Sequence, residues 1–123
     1  MSDTPTTQPI DAQVVVDQHG QVSVVRLIGE HDLSTQDQIS GAIEAAIQDG
    51  RDIVVDLRSA TFIDSSTLQA LVAGSRKASE AGRRLMLVIG EERSVVQVFE
   101  LTGLLDSFDS ADSPESAIAR LSS

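Results

Sequence analysis

The sequence predicts a single α/β domain that holds a mixed, mostly parallel sheet of about four or five strands and about four helices. Its 123 residues fall within the usual size of one domain. Short apolar runs at 53–57 and 85–89 are typical of strands buried on both faces, and segments with helical spacing of apolar residues alternate with them. This alternation indicates parallel strands joined by right-handed helical crossovers.

The sequence of the N-terminal part of the domain predicts a hairpin followed by a helix. Two β-branched runs, Val14–Val16 and Val22–Ile28, are separated by the polar connection Asp17–Gln21, which contains a glycine. Ser34 then has the character of a helix N-cap, with Asp37 three residues later. The helix after it places isoleucines at four-residue spacing and ends near Gly50.

The middle of the chain predicts a central strand at Ile53–Leu57, an irregular connection at Arg58–Ile63 and a second helix. Apolar residues of this helix trace one face, and the helix ends near Gly82. Leu85–Ile89 is predicted to be another buried strand.

The C-terminal part predicts a third helix, a short strand and a fourth helix. The third helix, Arg93–Thr102, is closed by Gly103, and a short strand is expected around Ser107–Phe108. Ser113 followed by proline provides an N-cap and a first helical residue for the fourth helix.

Residues 1–12 are rich in threonine and proline and lack the basic start and apolar stretch of a secretory signal. We expect them to form a disordered tail, with the folded domain at residues 13–123. No apolar run approaches the length of a membrane span, so we expect a soluble, cytoplasmic protein that makes no membrane contact.

Composition excludes several classes of function. The chain has three Phe but no Tyr or Trp, so it lacks most of the aromatic surface on which single-stranded nucleic acids stack. Its net charge of −10 adds repulsion from phosphate backbones and anionic membranes. With no cysteine and no phosphate-binding glycine loop, the sequence predicts no cofactor and no metal, and its partners are expected to be proteins.

The stretch Asp64-Ser65-Ser66 lies where the second helix begins. Asp and Ser are preferred N-caps, and one cap is enough to satisfy the first turn. Three consecutive residues of this type therefore leave one or two hydroxyls free, at the end of the sheet where α/β proteins place their sites. A serine there is a suitable phosphate acceptor, because a helix N-terminus stabilises an anion.

At this point the sequence resembles the STAS domain of bacterial anti-sigma factor antagonists, over about Val14 to Leu121. The resemblance rests on Asp56-Leu57, on Asp64-Ser65-Ser66 after six intervening residues, and on the flanking segments Gly29–Leu33 and Leu101–Leu104. It implies a STAS fold and a regulator that switches between protein partners.

In that family the unphosphorylated antagonist binds an anti-sigma factor that is also a serine kinase, and thereby frees a sigma factor. The resemblance implies that the kinase phosphorylates Ser65, that phosphorylation releases the complex, and that a PP2C-type phosphatase restores the binding form. The antagonist is then a substrate and not an enzyme. The implied contact surface comprises Glu30, Asp32, Asp64, Ser65 and Ser66.

One position departs from the family pattern. Thr67 stands where family members commonly have glycine, and it is expected to add bulk and a hydroxyl to the partner-binding surface. This departure favours a narrower set of partners or a second acceptor. It also keeps open an alternative, a constitutive STAS scaffold in a larger signalling or lipid-transport assembly with no phospho-switch.

Other polar residues have structural interpretations. Asp56 lies at the end of a buried strand, like the aspartate of a receiver domain. The only lysine, Lys77, lies on a predicted helix, so Asp56 is expected to bind loop amides instead. His19 and His31 fall in predicted turns without a second ligand at metal-binding spacing, and we expect both to be exposed.

Overall fold

The computed structural model describes residues 12–122. The predicted disordered tail at residues 1–12 lies outside the described residues, apart from Ala12. The ordered elements follow one another along the rest of the chain: β1 Gln13–His19, β2 Val22–His31, α1 Gln36–Gln48, β3 Asp52–Asp56, β4 Ala60–Ile63, α2 Ser65–Glu80, β5 Leu85–Val88, α3 Arg93–Thr102, β6 Asp109–Ser110 and α4 Pro114–Leu121. Short 3-10 turns occupy Leu33–Thr35 and Leu105–Ser107.

The strands form one mixed sheet in the order β1-β2-β3-β5-β6, with β4 paired to the end of β2. Among the strands formed by residues 12–122, only β1 is antiparallel to its neighbour, which confirms the mostly parallel sheet. The predicted α/β class and the four helices are confirmed as well. Within the same residues the sheet has six strands, one more than expected. The short strand predicted at Ser107–Phe108 lies at Asp109–Ser110.

The core forms two layers because successive strand residues point to opposite faces of the sheet. Ile53 and Val55 point to the larger layer, which also holds Ile39, Ile43 and Leu71 of α1 and α2. Val54 and Met86 point to the smaller layer beneath Ala117 and Leu121 of α4. Aliphatic side chains fill both layers, as the aromatic-poor composition requires.

The main difference from the sequence prediction is β4. The segment Arg58–Ile63 was expected to be an irregular connection, but Ala60–Ile63 pairs in parallel with residues Gly29, Glu30 and His31 of β2. Thr61 and Phe62 are exposed and only the two end residues are buried, so the segment lacks a strand pattern. Pairing with β2 supplies its hydrogen bonds.

Two other boundaries differ from the prediction. The first hairpin strand extends to His19 while the second begins at Val22 as predicted, which leaves Gly20 and Gln21 as the turn. Gly20 adopts φ 60°, a conformation that suits glycine. The predicted cap Ser34 lies inside the 3-10 turn, so α1 begins at Gln36.

Helices α1 and α2 approach each other closely at Gly74. A Cβ atom placed on Gly74 would lie 2.7 Å from Cδ1 of Ile43, whose side chain is fully buried. Gly41, the other glycine inside a helix, has no atom within 4 Å of the same position. The contact between the helices therefore requires glycine at position 74 and not at position 41.

These two glycines give a matched test of the packing. We expect Gly74→Val to lower the free energy of unfolding by about 1–3 kcal/mol, because the added methyl groups overpack the α1–α2 contact. Gly41→Val should change it by less than about 0.5 kcal/mol, since valine is tolerated in an exposed helix position. Urea unfolding of both variants measures the difference, and equal stabilities would contradict the packing assignment.

Candidate functional site

The two halves of the predicted site meet because β2 and β4 run side by side and end together. Glu30 is the register partner of Phe62, and His31 is the partner of Ile63. The next residues along each strand, Asp32 and Asp64, therefore occupy equivalent positions. The turn after β2 and the start of α2 lie next to each other at one edge of the sheet.

Asp64 caps the N-terminus of α2. Its Oδ1 accepts a hydrogen bond from the Thr67 amide at 3.0 Å and another from the Ser66 hydroxyl at 2.7 Å. Partial burial raises the pKa of Asp64, but the hydrogen bonds from Ser66 and Thr67 outweigh it and leave the pKa below its ordinary value. The carboxylate therefore stays charged near the positive end of the helix.

Asp32 has the same role at the end of β2. Its carboxylate accepts hydrogen bonds from the Ser34 amide at 2.9 Å and the Ser34 hydroxyl at 2.6 Å, which together cap the 3-10 turn. The bond from the Ser34 hydroxyl is the main reason that the pKa of Asp32 is lowered. Asp32 itself is exposed, as is Glu30 two residues before it.

His31 lies inside the molecule, and the expectation that it is an exposed turn histidine is wrong. Its side chain is 0% exposed. Nε2 lies 3.0 Å from the Ile28 carbonyl, to which it donates, and Nδ1 lies 2.9 Å from the Thr35 hydroxyl, from which it accepts in that tautomer. Burial lowers the pKa of His31 below its ordinary value, so the ring is neutral near pH 7.

Two further hydrogen bonds join the halves of the site. The Asp64 amide donates to the His31 carbonyl at 3.1 Å. The Gln36 side-chain amide, at the start of α1, donates to the Ser66 carbonyl at 3.2 Å. The acidic turn and the serine-bearing helix start are thus held in a single arrangement.

The three hydroxyl residues at the start of α2 differ in accessibility. Ser65 is exposed, and within residues 12–122 its hydroxyl forms no hydrogen bond. The Ser66 hydroxyl is bonded to Asp64, and Thr67 is 0% exposed. Ser65 therefore presents the free hydroxyl, whereas Thr67 adds neither bulk nor an accessible hydroxyl to the surface on which it was expected to lie.

Sequence reasoning missed two apolar members of this surface. Leu33 is 68% exposed in the turn directly after Asp32, and Phe62 is 42% exposed beside Glu30. Exposed large apolar side chains next to charged groups are a common feature of protein interfaces. Leu33 belongs to the turn segment quoted above, but Phe62 joins the surface only through the pairing of β4 with β2.

Comparison with known proteins identifies the family. A protein-family model described as "Mlab, STAS domain" matches residues 14–108, most of the chain. The chain belongs to the STAS-domain family of anti-sigma factor antagonists. An anti-sigma-B factor antagonist of Staphylococcus aureus is 32% identical over 83 residues, which cover 67% of this chain and 76% of the relative.

Solved structures agree with this assignment. An anti-sigma factor antagonist from Mycobacterium paratuberculosis superposes with a TM-score of 0.78 at 27% identity, over 94% of this chain and 98% of that one. The phosphorylated form of the Bacillus cell fate determinant SpoIIAA superposes with a TM-score of 0.68 at 26% identity, over 88% and 98% of the two chains.

Asp56 has a structural role in this STAS domain. Asp56 is 2% exposed and accepts hydrogen bonds from the Arg58 amide at 3.0 Å and the Arg58 guanidinium at 3.1 and 3.2 Å, which confirms its predicted role in the loop. Between residues 12 and 122, no group of three or more acidic or histidine side chains is placed to hold a metal ion. No helix in that range is long and apolar enough to cross a membrane.

The cap at Asp64 can be tested through stability. We expect Asp64→Ala to lower the free energy of unfolding by about 1 kcal/mol, because the first turn of α2 loses its hydrogen-bond acceptor. Asp37→Ala removes an exposed carboxylate from the first turn of α1 and should cost less than about 0.5 kcal/mol. Denaturant unfolding compares the two, and an equal loss in both variants would contradict a capping role.

The burial of His31 predicts a specific pH dependence. Its pKa is lower in the folded chain than in the unfolded chain, so stability is highest above about pH 6.5 and declines as pH falls through the folded pKa. The carboxylates of Asp32 and Asp64, whose pKa values are also lowered, lose their contribution only below about pH 4. We therefore expect the melting temperature to drop between pH 7.5 and 5.5.

His31→Gln should remove most of this pH-dependent drop in melting temperature. His19→Gln, which changes the exposed histidine, should retain it. Thermal melts of the wild type and both variants at the two pH values provide the measurement. If the melting temperature of His31→Gln still drops between pH 7.5 and 5.5, the drop is caused by another titrating group.

Proposed function

We propose that this STAS domain binds an anti-sigma factor serine kinase in its unphosphorylated form, frees a sigma factor, and is released when the kinase phosphorylates Ser65. A PP2C-type phosphatase would restore the binding form. In this cycle, which runs in the cytoplasm with sigma factors and ATP, the chain is a substrate and not an enzyme. The contact surface consists of Glu30, Asp32, Asp64, Ser65 and Ser66.

The observation that carries the proposal is the free, exposed hydroxyl of Ser65 at the first position of α2. A kinase can reach this hydroxyl without breaking a hydrogen bond or unfolding the helix. A phosphate at this position lies near the unpaired amides and the positive end of a helix of 16 residues, so the fold tolerates it. Modification therefore changes the surface and leaves the domain folded.

The effect of phosphorylation on binding follows from charge. A phosphate adds about −1.5 to −2 charges next to Asp64, opposite the acidic turn that bears Glu30 and Asp32. Like charge forced against a partner costs several kcal/mol, and even about 3 kcal/mol weakens binding roughly a hundredfold. One modification is thus enough to release a complex.

The relatives support the same cycle. The Staphylococcus aureus protein is named an anti-sigma-B factor antagonist, and SpoIIAA has been solved in a phosphorylated form. Thr67, the position that departs from the family pattern, is buried, so it leaves the exposed contact surface unchanged. We therefore keep Thr67 out of the proposed surface.

The proposal predicts the behaviour of four baits in a pull-down from native lysate. Wild type and Ser65→Ala should capture a histidine-kinase-like ATPase, and Ser65→Asp should reduce capture at least about tenfold. Ser116→Asp makes the same change in the first turn of α4, away from the site, and should bind like wild type. Mass spectrometry identifies the captured protein, and far-UV circular dichroism confirms that each bait is folded.

A second measurement tests the modification itself. The captured kinase, incubated with ATP and the purified chain, should add one phosphate to wild type and none to Ser65→Ala. Equal capture by wild type and Ser65→Asp would favour the constitutive scaffold. Phosphate that persists in Ser65→Ala would move the acceptor to another residue.

A further inference from the structure

An apolar groove begins at the proposed phosphorylation site. It has a volume of about 440 Å³ and lies between α2 and the segment that follows α3. Ser65 lies at one end and Arg76 at the other, three helical turns away. Between them Val72 of α2 and Leu104 on the opposite side form partly exposed apolar walls, and the buried Leu68 lies beneath them.

The groove continues along the same helix. A second cavity, of about 390 Å³, shares Val72 and Arg76 with the first and extends to Glu80 and Phe108. From Ser65 to Glu80 the axis of α2 rises about 22 Å, at about 1.5 Å per residue. The two cavities together therefore match the length of a helix of about four turns.

The charge in the groove selects its occupant. Arg76 is exposed and forms no ion pair within residues 12–122, although the chain carries a net charge of −10. Lys77, the next residue, is instead bound to Glu44 of α1 at 2.6 Å. An unpaired arginine beside an apolar surface is suited to a ligand that presents both apolar side chains and a carboxylate.

We propose that this groove binds an amphipathic helix of the anti-sigma factor, whose apolar face packs on Val72 and Leu104 and whose carboxylate pairs with Arg76. The inference rests on the proposed function, because Ser65 forms one end of the groove and the kinase must approach it there. Binding of an amphipathic helix in an apolar groove is a recurrent mode of recognition. Phosphate on Ser65 then places a dianion at the end of the groove and adds to the repulsion described above.

Two substitutions alter the groove without disturbing the core, since both positions are exposed on α2. Arg76→Glu reverses the charge that pairs with the partner. Ala73→Gln fills the groove with a longer neutral side chain that favours the helix. Matched controls make the same changes elsewhere: Arg84→Glu directly before β5 and Ala45→Gln on the exposed face of α1.

The experiment measures the dissociation constant of each full-length variant for the purified anti-sigma factor kinase, by isothermal titration calorimetry. We expect Arg76→Glu to weaken binding at least about thirtyfold and Ala73→Gln about tenfold. Both controls should remain within about twofold of wild type. Replacing the partner's groove-facing carboxylate by lysine should restore binding to Arg76→Glu, as a direct ion pair requires.

The outcomes separate this inference from the function on which it rests. If wild type binds the kinase, Ser65→Asp does not, and both groove variants bind like wild type, the groove is not used and the proposed function stands. If wild type binds no such kinase, both proposals are wrong. If the groove variants instead dissociate a homodimer in analytical ultracentrifugation, the groove binds a second copy and the inference is overturned.

Discussion

The site depends on the parallel pairing of β4 with the last residues of β2. Because His31 and Ile63 are register partners, the chain leaves the sheet at Asp32 and at Asp64 side by side. Each aspartate then caps the turn or helix that follows it, so each carboxylate is satisfied locally and held in place. The buried His31 ring holds the end of β2 in place through its hydrogen bond to the Ile28 carbonyl. The main-chain carbonyl of His31 accepts a hydrogen bond from the Asp64 amide at the end of β4. Without this pairing the acidic turn and the serines would have no fixed relation.

Capping also decides which hydroxyl is available. Asp64 uses one oxygen for both the Thr67 amide and the Ser66 hydroxyl, so Ser66 is engaged and Thr67 is drawn into the interior. Ser65 is left outside this network, at the position where a helix best tolerates an added anion. The same interactions that stabilise the start of α2 therefore produce a residue that can be modified at little cost to the fold.

The proposed partner surface around Ser65 combines three kinds of recognition. Glu30 and Asp32 supply negative charge, Leu33 and Phe62 supply apolar area, and the groove along α2 contains an unpaired arginine. A charged turn gives a partner its orientation and association rate, whereas buried apolar area and a paired arginine hold it. Since Ser65 borders both the turn and the groove, the proposed phosphate would act on the whole surface.

Local chemistry in the sequence was sufficient to predict the α/β class, the four helices, the central strands and the Asp64-Ser65-Ser66 element, because apolar periodicity and caps depend on nearby residues. It was not sufficient for β4, whose exposed Thr61 and Phe62 carry no strand pattern and whose hydrogen bonds come from β2. His31 and Thr67 are buried because α1, α2 and β4 pack around them. The spacing of residues in the sequence does not specify this packing. The groove exists only because α2 packs beside the segment after α3, residues about thirty positions apart in the chain. Tertiary structure alone decided which polar residues of the predicted site are exposed.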